Sequence, residues 1–374
     1  MSKERVKTLR AGIATLLAAG VAICVVTVMP AAAQDALLSV DVTNGTATLL
    51  PGSKIAFHGD RQGRDKPDEI YVMSAADPER RLTPDRENKC NAINPRWSRN
   101  GHRIAFHCFI LNVPDPSNKN FSEIYVINAD KTGITPLTDM KAGEDVGECP
   151  LNTCGAAFAS WSPNGKKIAF SSANPLIRDF VPHIYVVDVD DCIAAPAPCR
   201  LGAGVTRLTS LEANRPDWSP DGRKLVFNRG PQLTAQIYVA DINDPDVAVQ
   251  LTFPGGANRN PRWSPDGSKI TFESTRDGNP EIYVMNADGS GQLRLTDSPD
   301  APNNVPSFSP DGHWIVFHRQ LFIIPGQRSP NGSDLFVVPV DRSLEAVRLT
   351  TKAPDSFSSF ASWAPGRDAV TQAH

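Results

Sequence analysis

The sequence predicts an all-β chain: a six-bladed β-propeller of four-stranded blades, closed by a C-terminal strand that completes the first blade. Three observations predict it. An aromatic residue followed by a tight-turn signal recurs six times along the chain. Each recurrence is accompanied by three further short strand patterns in a constant order. The two ends of the repeat are out of phase with each other.

The clearest copy runs from Asn260 to Thr296. Arg262-Trp263 ends its first strand, and Ser264-Pro265-Asp266-Gly267 is a turn with Pro and Gly where a type I turn wants them. Lys269 to Ser274 alternates apolar and polar residues as a second strand. Glu281 to Met285, rich in β-branched and aromatic residues, is the third. Asn286-Ala287-Asp288-Gly289 turns the chain again, and Gln292 to Thr296 is the fourth.

The aromatic-plus-turn element begins at Trp97, Trp161, Trp218, Trp263 and Phe308, with a degraded copy at Trp363-Ala364-Pro365-Gly366. The second strand ends at Phe57, Phe106, Phe170, Phe227, Phe272 and Phe317. The third is centred on Tyr71, Tyr125, Tyr185, Tyr238, Tyr283 and Phe336. The fourth closes with Leu-Thr at Thr83, Thr138, Thr209, Thr252, Thr296 and Thr350. Four strands in roughly 45 residues is the length of a propeller blade. A lone sheet of this kind cannot bury both faces, whereas radial packing lets each sheet cover the next.

The first unit begins at its second strand, Lys54 to Phe57, and the last stops just after its first strand, at Trp363. The simplest solution lets Ser358–Trp363 become the innermost strand of the blade begun at Lys54. The alternative is that Thr46–Leu50 supplies that strand. The organisation expected is a signal peptide over residues 1–33, a short lead over 34–52 and the propeller over 53–368.

The signal peptide rests on a basic start (Lys3, Arg5, Lys7, Arg10), an apolar run from Ala11 to Met29 and an Ala-x-Ala site ending at Ala33. An uncleaved anchor is the alternative, since the apolar run is just long enough to span a bilayer. Ile23 precedes Cys24 where a lipoprotein site would want a small residue. Removing these four basic residues and Glu4 from the 38 basic and 41 acidic residues of the chain leaves 34 and 40, a net charge of −6. That balance argues against nucleic acid or an anionic membrane as partner, and no span is expected in the mature chain. A periplasmic or secreted location follows.

Six cysteines remain after export. Their proximity suggests the pairs Cys90–Cys108, Cys149–Cys154 and Cys192–Cys199. Zinc is the competing reading, weakened by the absence of a Cys-x-x-Cys pair.

The repeat resembles that of TolB-type β-propellers, close to P-x-W-S-P-D-G-x-x-I-x-F followed by I-Y-V and L-T. The resemblance covers essentially the whole mature chain, and residues 261–296 fit almost without gaps. It implies a likeness to the propeller of TolB, a periplasmic protein of the Tol–Pal system. Similar repeats occur in prolyl oligopeptidase-like enzymes and in oligogalacturonate lyases. TolB carries an α/β domain ahead of its propeller, whereas only Gln34 to Pro51 lies here before the first strand. The expectation is therefore a TolB-like propeller without that domain.

Candidate sites fall in three places. Insertions at Cys108–Ser122, Ser171–Pro182, Arg319–Ser333 and Asp139–Phe158 all lie on one face of the disc, opposite the tight turns. Asp190–Val205 is the exception. Loops on a rigid scaffold carry recognition, so the loop-rich face is the expected docking surface for a protein or peptide partner. The residues just before the aromatics are Arg96, Ser160, Asp217, Arg262, Ser307 and Ser362. If the aromatics pack between blades, these border the central channel. Arg96, Asp217 and Arg262 are then anchors for an anionic or peptide ligand; inter-blade ion pairing is the alternative. Third, His58, His107 and His318 each follow a second-strand Phe in blades that become neighbours on closure. They are candidate ligand-binding residues at the rim. The resemblance to oligogalacturonate lyases implies a metal role for them instead.

No Gly-x-Ser-x-Gly elbow, P-loop, dinucleotide fingerprint or His-Glu-x-x-His motif is present. No catalytic residue and no cofactor are therefore assigned. The expected function is a monomeric, exported, non-enzymatic scaffold that binds a protein or peptide. The alternative is a metal-dependent saccharide lyase or hydrolase built on the three histidines.

Overall fold

The computed structural model describes residues 37–41, 44–59, 67–77, 79–84, 90–110, 122–140, 155–173, 181–320, 332–350 and 358–366. The presequence with its cleavage site, the Cys149–Cys154 pair and most of the four loop-face insertions lie outside these residues.

Every repeat becomes one sheet because its four repeat strands pair antiparallel from the axis outwards, and blade three adds a short parallel strand, Arg200–Leu201, outside its Gly204–Arg207. Blade two is Cys90–Trp97, Arg103–Ile110, Ser122–Asn128 and Thr135–Pro136; blade five is Asn258–Trp263, Lys269–Ser274, Glu281–Asn286 and Leu293–Arg294. Blades three, four and six begin at Ala157–Trp161, Asn214–Trp218 and Asn303–Phe308. Blade one is closed across the chain ends. Ser358–Trp363 pairs antiparallel with Lys54–Gly59, placing Trp363 opposite Ile55 and Ser362 opposite Ala56. The C-terminal clasp therefore forms as the phase of the repeat requires.

The alternative inner strand does something else. Thr46–Leu49 forms a hairpin with Leu38–Asp41 and continues the outer edge of blade six, running parallel to Val347–Arg348 with Thr46 opposite Arg348. The segment expected as a lead thus covers an edge that would otherwise stay unpaired. Leu38, Ala47 and Leu49 are buried there.

Three local interactions explain why the repeat reads as it does. In the tight turn, the Ser after the aromatic accepts the N–H that opens the second strand and donates to the Asp or Asn two residues on. Ser264 Oγ accepts from Lys269 at 2.9 Å and donates to Asp266 at 2.6 Å. Ser98, Ser162, Ser219 and Ser309 repeat both bonds. Gly267 then adopts φ 73°, a conformation glycine enters without strain.

The Leu-Thr ending is the second interaction. In all six blades the Thr hydroxyl accepts the N–H of the first apolar residue of the third strand, at 2.8–3.1 Å. In blades one, two, five and six it also bonds the carboxylate just before that residue: Glu69, Glu123, Glu281 or Asp334. The third is a stack of the second-strand Phe on the aromatic of the third strand, with centroids 5.6–6.3 Å apart in every blade.

The core is not one mass but six, each lying between two neighbouring blades. Ile270, Phe272, Tyr283 and Met285 of blade five pack on Val226, Ile237 and Val239 of blade four. Ile55, Phe57 and Trp363 of blade one pack on Val316, Leu335 and Val337 of blade six. The six second-strand Phe side chains are at most 1% exposed.

Two disulfides match the expected pairs. Cys90 and Cys108 lie on neighbouring strands, two residues out of direct register, with Cα atoms 5.4 Å apart. Cys192–Cys199 closes the exceptional insertion of blade three. That insertion holds a single turn and a half of α-helix, Val189–Ala194, capped by Asp188. Helical periodicity cannot register over six residues, so the sequence pattern gives no sign of it.

Removing Thr296's hydroxyl strands the Ile282 N–H and part of Glu281 in the core. Thr296→Val is expected to cost about 1–3 kcal/mol, read as a lower urea midpoint at unchanged slope. Trp363→Ala removes a 6%-exposed side chain from the closing strand. A loss of about 3–5 kcal/mol is expected, and a near-parental melting curve would contradict its role in closure.

Candidate binding site in the central channel

The innermost strands of the six blades form the channel wall. Each contains a β-bulge at the same place, between Ile93 and Arg96 in blade two and between Arg259 and Arg262 in blade five. The residue three before each aromatic takes positive φ: Asn94, Phe158, Arg215, Asn260, Val305 and Phe360, all between 50° and 57°. Such values are uncommon outside glycine and unusual for β-branched Val305. Their sixfold recurrence makes them part of the architecture. The bulge leaves a ladder N–H unneeded, which is where Pro is tolerated in a strand. Pro95, Pro216, Pro261 and Pro306 occupy that place.

The bulge gives the wall two tiers. The residues immediately before the aromatics line a cavity of about 190 Å³ together with the turns that carry Ser98, Arg99, Pro265, Pro310 and Pro365. All six residues read from the sequence as channel-lining, Arg96, Ser160, Asp217, Arg262, Ser307 and Ser362, are brought together here. The cavity opens among the tight turns, on the face opposite the long insertions.

Within this tier the short acceptors join blades. Ser362 Oγ accepts the N–H of Trp97 at 3.4 Å, Ser160 Oγ that of Trp218 at 3.2 Å, and Asp217 Oδ2 that of Trp263 at 2.9 Å. The other Asp217 oxygen accepts from Ser160 Oγ at 3.1 Å. Arg96 and Arg262 are 6% and 4% exposed. Arg262 Nη1 donates to the Pro261 carbonyl, while its Nε has no partner among the described residues; Arg96 Nε and Nη2 have none either. Burial, reinforced by Arg262, holds the Arg96 guanidinium well below the usual arginine range, against the pull of Asp217. Arg262 is shifted the same way, chiefly by burial.

The second tier, nearer the loop face, was not singled out in the sequence. The Arg215 guanidinium sits 4.1 Å over the Phe158 ring and bonds the side-chain oxygen of Asn260. Asn260 in turn donates to Glu273 at 2.8 Å. Burial brings Arg215 down to about 10, partly offset by Glu273. The signal that could have found this tier is Pro two residues before the aromatic in four of the six blades.

A TolB β-propeller domain model matches residues 204–324. The structure of TolB from Acinetobacter baumannii superposes with a TM-score of 0.59 at 19% identity, covering 84% of this chain and 67% of that one. The putative TolB from Agrobacterium tumefaciens gives 0.50 at 20%, covering 84% and 98%. Hydrazine synthase from Kuenenia stuttgartiensis gives 0.60 at 12%, covering 85% and 48%. No curated protein matches the sequence. The chain carries a TolB-like β-propeller.

In this TolB-like ring the three candidate histidines each face the next blade. His58 Nδ1 accepts the N–H of Asn94 at 3.4 Å and its ring lies 5.1 Å from that of Phe360. The His318 ring lies 5.4 Å from that of the same Phe360, and the His107 ring lies 5.6 Å from that of Phe158. Ser171 and Glu273, at the same position in other blades, likewise accept N–H groups of the bulge residues Arg215 and Val305. The shared position is thus a strut between blades. Among the described residues no group of three His, Cys, Asp or Glu side chains is placed to hold a metal.

Burial lowers His107 to about 3 and His318 to about 4, from an ordinary 6.5. Both are neutral in the folded chain near neutral pH and free to take a proton once unfolded. Below pH 6.5 the unfolded state binds more protons, so stability falls with pH, and the loss continues down to the folded values. His107→Asn, which copies Asn228 of blade four, is expected to flatten the fall in melting temperature between about pH 6.5 and 4. A profile parallel to the parent's would show that His107 titrates normally.

Proposed function

We propose that this TolB-like propeller is exported and acts in the cell envelope as a monomeric, non-enzymatic scaffold for a protein or peptide partner. The reading is supported above all by a rigid closed ring, each joint held by blade-to-blade hydrogen bonds, that presents loops on one face and a preformed cavity on the other. Buried disulfides at Cys90–Cys108 and Cys192–Cys199 support an oxidising compartment. Among the described residues no helix is long and apolar enough to cross a membrane. The loop face, carrying the insertions between residues 108 and 122 and between 319 and 333, is the proposed docking face.

Fractionation of native cells is expected to place the protein in the envelope with Cys90 and Cys108 oxidised. A photo-cross-linker in the 111–121 insertion should give a discrete protein adduct, and one at exposed Lys166 on the turn face should not. Recovery from the cytosol with free thiols, or equal labelling from both faces, would sink the reading.

A further inference from the structure

Blades two and five stand opposite each other in a six-membered ring, and both carry the tetrapeptide Asn-Pro-Arg-Trp, at 94–97 and 260–263. The symmetry of the repeat therefore sets Arg96 and Arg262 on facing walls of one cavity. Both are more than nine-tenths buried, and both keep guanidinium N–H groups without partners among the described residues. Blade two departs from the repeat once more: Arg99 stands where the other turns have Pro163, Pro220, Pro265, Pro310 and Pro365, and it lines the same cavity.

The charges do not balance. Arg96, Arg99 and Arg262 face Asp217 alone, and both Asp217 oxygens already accept bonds from Ser160 and Trp263. Buried charges are normally paired, because an unpaired one loses its hydration without compensation. Two positive charges remain to be matched, one of them on the cavity's buried wall and the other on half-buried Arg99. A guanidinium presents a planar fork suited to a carboxylate, and two forks on opposite walls suit two carboxylates joined by a short chain. Between them the wall is mixed, with rings such as Trp161, Trp218 and Phe308 alternating with Ser160, Ser307 and Ser362. The volume of about 190 Å³ exceeds the roughly 150 Å³ of an engineered cavity that holds benzene.

We infer that the central cavity binds a small aliphatic dicarboxylate, one carboxylate on Arg96 and the other on Arg262, with Arg99 guarding the mouth. The site is separate from whatever docks on the loop face. Inorganic phosphate shares the charge but offers one compact anionic centre in place of two carboxylates held apart by a chain.

The test is calorimetry and thermal melting of the full mature chain with succinate, glutarate and inorganic phosphate. Saturable binding of succinate or glutarate, tighter than phosphate, is expected, with a rise in melting temperature. Arg96→Gln and Arg262→Gln should each weaken it by about tenfold or more. Neither should lower the ligand-free melting temperature, since each removes an unpaired buried charge. Arg99→Pro restores the repeat's own turn residue and should keep the fold while weakening binding. The inference is overturned if neither dicarboxylate binds saturably, if phosphate binds as tightly, or if the arginine variants bind unchanged. It is equally overturned if they melt well below the parent without ligand, which would make the arginines structural.

Discussion

Every sheet in this chain is apolar on both faces, and that single constraint dictates the rest. A blade can be stable only when another blade covers each face, so an open row would always leave two faces wet. The six core clusters, one per joint, are the direct expression of this need. Closure falls to the Ser358–Trp363 strand, which pairs with Lys54–Gly59 and packs Ala361 and Trp363 in one cluster with Ile55 and Phe57. The channel is what remains when six sheets meet edge to edge. Its wall is therefore made of strand edges and bulges, not of packed faces, and carries most of the polar side chains near the axis.

What the sequence made legible is what the repeat must do six times. Trp-Ser-Pro-Asp-Gly, the second-strand Phe and Leu-Thr each serve one fixed interaction: a capped turn, an aromatic stack and a buried hydroxyl. Repetition of the interaction forces repetition of the residue. The bulge tier was not legible for the opposite reason. What recurs there is a backbone angle, and residues as different as Asn94, Phe158 and Val305 adopt it. The N-terminal hairpin was half legible. Thr46–Leu49 alternates as a strand should, but sequence pattern does not say which sheet edge a strand will choose. Two edges were open to it, and the C-terminal strand occupies one.

The histidines show how a repeat can mislead. His58, His107 and His318 follow the same Phe in adjacent blades, which suggests convergence. Rotational equivalence does the reverse for a second strand: each copy points at its own neighbour, at a constant distance from the axis. Phe360 lies against both His58 and His318, so an inner-strand ring lies within reach of two of them. Innermost-strand residues lie nearest the axis, which is why the tier holding Arg96, Asp217 and Arg262 shares one cavity.

Within that inner tier, the meaning lies in the departures from equivalence. Ser160, Asp217 and Ser362 each accept the N–H of an aromatic in the next blade, so they serve the joint. Arginine has no acceptor to offer. At Arg96 and Arg262 the repeat forgoes that bond and buries a cation in its place, in two blades out of six and on opposite walls. The joint at Arg96 is held differently, by Trp161, whose indole N–H donates to the Arg96 carbonyl at 3.0 Å. The backbone that carries the guanidinium is thus fixed, while its Nε and Nη2 have no partner among the described residues. Four of the six blades close without an arginine at this position, so the repeat itself does not call for either one.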